Sequence, residues 1–281
     1  MLEMKIGVMM HSTDSTVTPA VLAIEAEQRG FESVFVTEHT HIPVRPFIAW
    51  RGGEVMPEFY KHLHDPIVAL ATAASVTSTI KVGTGVLVLG QREPLATAKQ
   101  LASLDVLSGG RLICGVGYGW ERDELAQHGI EWSERRVVFR EHLGAVRELW
   151  TAEEAAFAGA RVKFGPSWSY PKPLQTPHPP VLLGAAGSAA TLLDVVDHCD
   201  GWMPVEGTEP IPQRWDDLRR LAELHDRDPA SIDLVIYGSS GDHATVEGHR
   251  AIGASRVVVG LDGVDVEHVR RQLDHHMTLL E

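Results

Sequence analysis

The feature that most limits what this chain can become is a rhythm: a short apolar run, a loop and a helix, repeated eight times from one end to the other. The apolar runs lie at 5–10, 33–37, 80–88, 112–116, 181–184, 201–205, 232–237 and 256–259, each of strand length. After them come stretches with helical spacing of apolar residues at 19–29, 66–76, 94–107, 135–150, 188–197, 212–225, 245–252 and 264–279. Strands that alternate with helices pair in parallel, and eight such units close the sheet on itself. The predicted fold is therefore α/β, a (β/α)8 TIM barrel. A barrel of this kind takes about 250 residues, so the 281 here suit one of them, and no linker-like stretch divides the chain. Residues 1–281 are read as a single domain. The interval 155–179 breaks the rhythm with Phe157, Phe164, Trp168 and Tyr170 among Gly and Pro, and reads as a hairpin or extended excursion between the fourth helix and the fifth strand.

In such a barrel the chemistry sits at the carboxyl ends of the strands, which selects a short set of candidates. They are His11 and Ser12, Glu38 and His39, Gly85 and Val86, Tyr118 to Trp120, Gly184 to Ser188, Glu206, Ser239 and Asp262. The fourth strand ends in Gly115, Gly117 and Gly119, which an extended chain places on one face. Glycine weakens a strand, so three in register need a reason: tight packing at a barrel corner, or a planar cofactor lying across the strand end beside Tyr118 and Trp120. The loop Gly184, Ala185, Ala186, Gly187 and Ser188 opens a helix, with Ser188 as N-cap; it suits either a phosphate or a plain capped helix. Neither a Walker motif nor a dinucleotide fingerprint at the first strand-to-helix turn is present. Glu38 and His39 share the barrel mouth, where an imidazole with an ordinary pKa of about 6.5 can exchange protons. His39-x-His41 also has the look of a metal pair. The further ligands of a barrel metallohydrolase are missing after the fourth, fifth and sixth strands, so no metal is assigned. The long loop 40–65, with Arg45, Phe47, Trp50, Arg51, Phe59 and Tyr60, reads as a lid that shapes substrate choice.

Composition narrows the partners. A formal net charge of −13 argues against a nucleic-acid or anionic-membrane surface. No apolar run reaches the ~18 residues of a membrane span, and the first residues lack the layout of a signal peptide. Cys114 and Cys199 sit within apolar segments, as reduced core residues do. A cytoplasmic protein acting on a small molecule is expected.

Taken together, the motifs resemble the bacterial luciferase-like superfamily of flavin and deazaflavin enzymes, within it the branch that uses coenzyme F420. The likeness rests on Thr37-Glu-His39, on VGTGVL at 82–87, on AKQLASLDVLSGGR at 98–111, on GVGYGWERDE at 115–124, on Glu134-Arg135, and on PKPLQTPHPP at 171–180. It runs from the first strand through the sixth and fades over the last third. The resemblance implies a bulge in the third strand with a non-proline cis peptide at Gly85-Val86 pressing on the cofactor ring. It also implies cofactor phosphate at Gly184 to Ser188, ring contacts from Glu38, and backbone contacts from Tyr118 and Gly119. Sugar-phosphate dehydrogenases of the family carry a catalytic Glu where this chain has Trp120, and a Lys in the loop that here reads Val205-Glu-Gly-Thr208. That departure argues against sugar-phosphate oxidation. It leaves His39 as proton donor or acceptor, with Glu38 beside it as the second catalytic candidate, Trp120 as a pocket wall, and Glu124 as a cap of the following turn or an anchor of the cofactor loop. The expected activity is hydride transfer between F420 and a small organic substrate, by a chain that pairs as a homodimer. Alternatives are a reduced-FMN monooxygenase on the same scaffold, a metal-dependent hydrolase using His39 and His41, and a cofactor-binding protein without turnover.

Overall fold

The structure, a computed structural model, describes residues 4–44 and 55–281. Arg45, Phe47, Trp50 and Arg51 of the expected lid lie outside the described residues; Phe59 and Tyr60 lie within them.

The strands are β1 (Lys5–Met10), β2 (Ser33–Val36), β3 (Lys81–Thr84), β4 (Leu87–Val88), β5 (Leu112–Gly117), β6 (Ala155–Ala158), β7 (Lys163–Ser167), β8 (Val181–Leu183), β9 (Gly201–Trp202), β10 (Asp233–Ser239) and β11 (Arg256–Leu261). The α-helices are α1 (Pro19–Gln28), α2 (Pro66–Ser75), α3 (Pro94–Ser108), α4 (Arg122–Gln127), α5 (Arg135–Thr151), α6 (Ala189–His198), α7 (Ile211–Leu224), α8 (His243–Ala251) and α9 (Val266–His276). All strands but β6 and β7 pair in parallel in the order β3-β2-β1-β11-β10-β9-β8-β5-β4, and a β3–β5 pairing closes the ring. This is the (β/α)8 barrel that the rhythm predicts, with β3 and β4 as two halves of one stave. β6 and β7 form an antiparallel hairpin outside the ring, which accounts for the broken rhythm at 155–179.

Alternation along each strand divides the apolar side chains into two cores. Met9, Phe35, Ile113, Leu182, Met203, Val235, Tyr237 and Val258 fill the barrel interior. Their neighbours Val8, Val34, Val36, Val82, Leu112 and Val257 face the helices. Phe35 fits inside because Gly83 beside it is bare: a Cβ there would stand 2.3 Å from the phenyl ring. Helix ends follow local chemistry. Thr18, Asp65, Glu93 and Ser188 cap α1, α2, α3 and α6 with their side-chain oxygens, and Gly109 closes α3 in the left-handed region at φ 74°.

The third strand is interrupted after Thr84, where the resemblance implies a bulge. Two details differ from the sequence reading: the 115–124 motif runs into a short helix, α4, and the sixth strand shrinks to Gly201–Trp202, extended by a bridge from Val205 to Tyr237. No helix among the described residues is long and apolar enough to cross a membrane. Cys114 and Cys199 are free and buried, and burial pushes the Cys199 thiol up to about 12, so it is not a thiolate at neutral pH.

Candidate active site

At the carboxyl ends of the strands the barrel opens into a cavity of about 800 Å³. His11, Glu38, His39, Gly85, Val86, Tyr118, Gly119, Trp120, Gly184, Ala185, Ala186, Ser188 and Asp262 all line it, so most of the sequence-selected residues are brought together. A smaller hollow of about 390 Å³ at the opposite end is lined by Glu27, Glu32, Thr79 and Lys81 beside Met4 and Phe31, away from the strand ends that carry the candidate residues.

The floor is shaped by the break in the third strand. The Gly85-Val86 peptide is cis, as the resemblance implies. Gly85 lies against Tyr237, where a Cβ would come within 2.4 Å of the phenol. Gly115 and Gly117 serve this same break. A Cβ on Gly115 would sit 2.0 Å from the Thr84 carbonyl oxygen, and one on Gly117 would sit 2.7 Å from a Val86 methyl. Of the two reasons open for these glycines, close packing applies to both. Gly119 differs, because at φ 82° it turns the chain from β5 toward α4.

Glu38 follows β2 inside the protein, where both carboxylate oxygens are engaged: Val88 N–H donates to one at 2.6 Å and Arg92 Nε to the other at 2.6 Å. Burial pushes this carboxyl up, and the guanidinium and amide oppose the shift. Arg92 also reaches Asp65, the cap of α2, at 2.6 Å. Glu38 thus braces the wall of the cavity.

His39 is placed differently. Its Nδ1 lies 2.7 Å from Glu124 Oε2, and its ring meets Trp120 and Tyr60 edge-on at 5.2 and 5.3 Å between centroids. An imidazole that donates Nδ1–H to a carboxylate keeps Nε2 for other business, which is the arrangement a proton-transfer histidine needs. Burial alone would raise the Glu124 carboxyl; hydrogen bonds from His39 and from the Thr40 amide and hydroxyl outweigh it and hold the group below the ordinary carboxylate range. Glu124, expected as a cap or anchor, is therefore the partner that orients His39. The pairing spans 85 residues of sequence, so no local spacing signals it.

Other lining residues include His11, which the sequence reading selected, and Tyr237, Arg135 and Arg136, which it did not assign to the site. His11 bonds Thr37 Oγ1 at 3.1 Å and stacks on Phe59 at 4.2 Å; burial, then the charge of His39, lowers its pKa to about 4, so the ring is neutral at physiological pH. Tyr237 Oη is buried without a hydrogen-bond partner among the described residues. Arg135 lies 3.6 Å over the Trp132 ring and donates to the Trp132 carbonyl, while Arg136 pairs with the buried Asp194 at 2.8 Å. These arginines give the cavity a cationic wall. On an amphipathic helix such as α5, arginine reads in sequence as solvated surface.

The Gly184–Ser188 loop is only partly as expected. Gly184 N–H donates to the Val116 carbonyl and Ser188 N–H to that of Ala186, each at 2.8 Å. Gly187 does not line the cavity: its N–H donates to Glu209 Oε2 at 2.7 Å, and its missing side chain makes room for Glu209 and Trp202. An anion near this loop would rely on the remaining amides, the Ser188 cap and the arginines. The His39-x-His41 pair does not converge. His39 turns to Glu124 and the cavity, whereas His41 Nε2 turns to Gln127 Oε1 at 2.6 Å.

Residues 5–240 match the family model described as luciferase-like monooxygenase. The chain belongs to that family. A Mycobacterium tuberculosis (strain H37Rv) chain described as an uncharacterized protein is 45% identical over 215 residues, covering 74% of this chain and 76% of that one. An F420-dependent glucose-6-phosphate dehydrogenase of Amycolatopsis mediterranei is 31% identical over 230 residues, 73% of this chain and 64% of its own length. An FMNH(2)-dependent dimethylsulfone monooxygenase of Pseudomonas putida is 31% identical over 164 residues, 57% and 44% of the two chains. Among solved structures, monooxygenase RslO1 from Streptomyces bottropensis superposes with a TM-score of 0.81 at 22% identity, covering 98% of each chain. Members of this luciferase-like family thus include both F420- and FMNH2-dependent enzymes, on the barrel seen here.

Proposed function

We propose that this chain is an oxidoreductase that transfers a hydride between coenzyme F420 and a small organic substrate, with His39 moving the accompanying proton. The observation that carries this reading is the His39–Glu124 pair at 2.7 Å in the wall of a cavity whose rim is made of Gly85, Gly119, Gly184, Ala185 and Ala186. Ala185 and Ala186 put little side chain into the cavity, and Tyr237 Oη beneath Gly85, with no hydrogen-bond partner among the described residues, offers a polar contact from below to a flat ring system. The same residues fit either deazaflavin or flavin by shape. F420, when bound, supplies a carbon that accepts or returns a hydride.

The residues of the chain do the remaining work. Glu124 keeps the Nδ1 proton on His39, so that Nε2 gives or takes a proton at the substrate oxygen. Neutral His11 and Trp120 wall the substrate side. Ala185, Ala186, Ser188 and Arg135 would hold the phosphate-bearing tail, and the acidic wall residue Glu38 fixes β4 rather than touching protons. A cytoplasmic homodimer belongs to the same reading.

Titration of F420 fluorescence with purified protein tests it. Saturable quenching, with FMN bound far more weakly, is expected. Tight FMN binding without F420 binding would instead favour a reduced-FMN monooxygenase, the reading that the Pseudomonas putida relative supports. A screen of reducible compounds against reduced F420 would then find the substrate.

A further inference from the structure

We propose that His41, Glu124 and His128 form a binding site for a divalent transition-metal ion, Zn2+ by ligand type, on the outer rim of the barrel mouth. One ligand atom from each residue lies within 4.8 Å of those from the other two. Glu124 and His128 stand four residues apart along α4 and its C-terminal cap, which puts them on one face, and His41 arrives from the loop after β2. The two imidazole centroids are 5.6 Å apart.

The three side chains already surround a single point. The Thr40 hydroxyl oxygen lies 3.0 Å from His41 Nδ1, 3.1 Å from Glu124 Oε1 and 2.7 Å from His128 Nε2. One hydroxyl has one proton to give, and Glu124 Oε1, which also accepts the Thr40 amide at 2.9 Å, faces it together with the two imidazole nitrogens. A cation drawn in beside that hydroxyl would take a lone pair from all three at once. Gln127 Oε1 at 2.6 Å accepts the Nε2 proton of His41, which leaves the Nδ1 lone pair facing Thr40 and the other two donors.

The donor set decides the ion. Two imidazoles and a carboxylate suit Zn2+, whose bonds run about 2.0–2.2 Å, with Thr40 or a water completing four-coordination. Mg2+ and Ca2+ prefer oxygen throughout. Tetrahedral bonds of that length place donors roughly 3.4 Å apart. The donors must therefore close in from separations of up to 4.8 Å, by side-chain rotation of His41 and His128 at the protein surface.

None of the three lines the cavity, so an ion held there would not reach a substrate. It would tie the loop after β2 to α4. Glu124 would serve both sides, with Oε1 toward the ion and Oε2 on His39. The inference does not depend on which cofactor the cavity takes.

Untagged protein stripped with EDTA should bind one equivalent of Zn2+ in equilibrium dialysis, and Co2+ in its place should give the intense visible absorption of a four-coordinate site. His41→Gln and His128→Gln should each weaken Zn2+ binding by at least ~10-fold. Their far-UV circular dichroism should match that of the parent. Absence of saturable binding at micromolar Zn2+ would overturn the proposal. Equal affinity in both variants and the parent would overturn it as well, by placing the bound metal elsewhere.

Discussion

At the amino-terminal end of the barrel, the buried Arg111 spends its guanidinium on Ser108, Ala74, Thr77 and Ile80, at 2.5 to 3.1 Å. Nearby, Glu27 Oε1 accepts the amides of Ser78, Thr79 and Ile80, and Arg256 forks onto Glu32 at 2.8 and 2.9 Å. At the carboxyl end the same strands deliver His11, His39 and Tyr237 to an open cavity that Arg135 also lines, and Tyr237 Oη has no hydrogen-bond partner among the described residues. One end engages these charged groups internally; the other leaves a phenol and an imidazole nitrogen facing open space. Stability and chemistry are thus separated along the barrel axis, as parallel barrels permit.

That contrast can be broken from either side. The largest effect is expected at the carboxyl end, where His39→Gln should lower turnover by about 10²- to 10⁴-fold while leaving cofactor affinity near the parent value. Steady-state kinetics beside a binding titration would decide it, and undiminished turnover would remove His39 from proton transfer. Next comes Arg111→Met, which strands several buried carbonyls and should cost about 3 kcal/mol in denaturant unfolding. Activity per folded molecule should be unchanged; a selective loss of activity would blur the division between the two ends.

The smallest effect sharpens the comparison through pH. Hydrogen bonds from Ile80, Thr79 and Ser78 outweigh burial and lower the Glu27 pKa from 4.5 to about 2. A carboxyl whose folded pKa is depressed stabilises the fold above its unfolded pKa, and that contribution fades as pH falls from about 4.5 toward about 2. Melting temperatures of Glu27→Gln and parent should therefore differ at neutral pH and converge across that window. A constant gap down to pH 2 would show that Glu27 acts through packing.

Much of this was legible in the sequence because the strands are apolar throughout and the helices recur at even spacing. Gly85 and Val86 could be singled out from the resemblance, and His39 from its place at a strand end. Other features left no local mark. α4 buries only Glu124 and Leu125, too little for a periodic signal. The Glu38–Arg92 clamp and the His39–Glu124 pair join residues far apart in sequence, and a carboxylate looks the same in sequence whether it braces a wall or orients an imidazole. Gly115 and Gly117 suggested room for a ligand, yet the space they free is taken by Thr84 and Val86 of the neighbouring stave.

The chain of contacts from Asp65 through Arg92 to Glu38 and the Val88 amide ties the start of α2, the end of β2 and the strand beyond Gly85-Val86 into one frame. A wall fixed this way has little conformational freedom left to surrender when a guest arrives. Discrimination between candidate guests would then rest on outline and on the few unspent donors, and a molecule of the wrong thickness would be refused rather than accommodated.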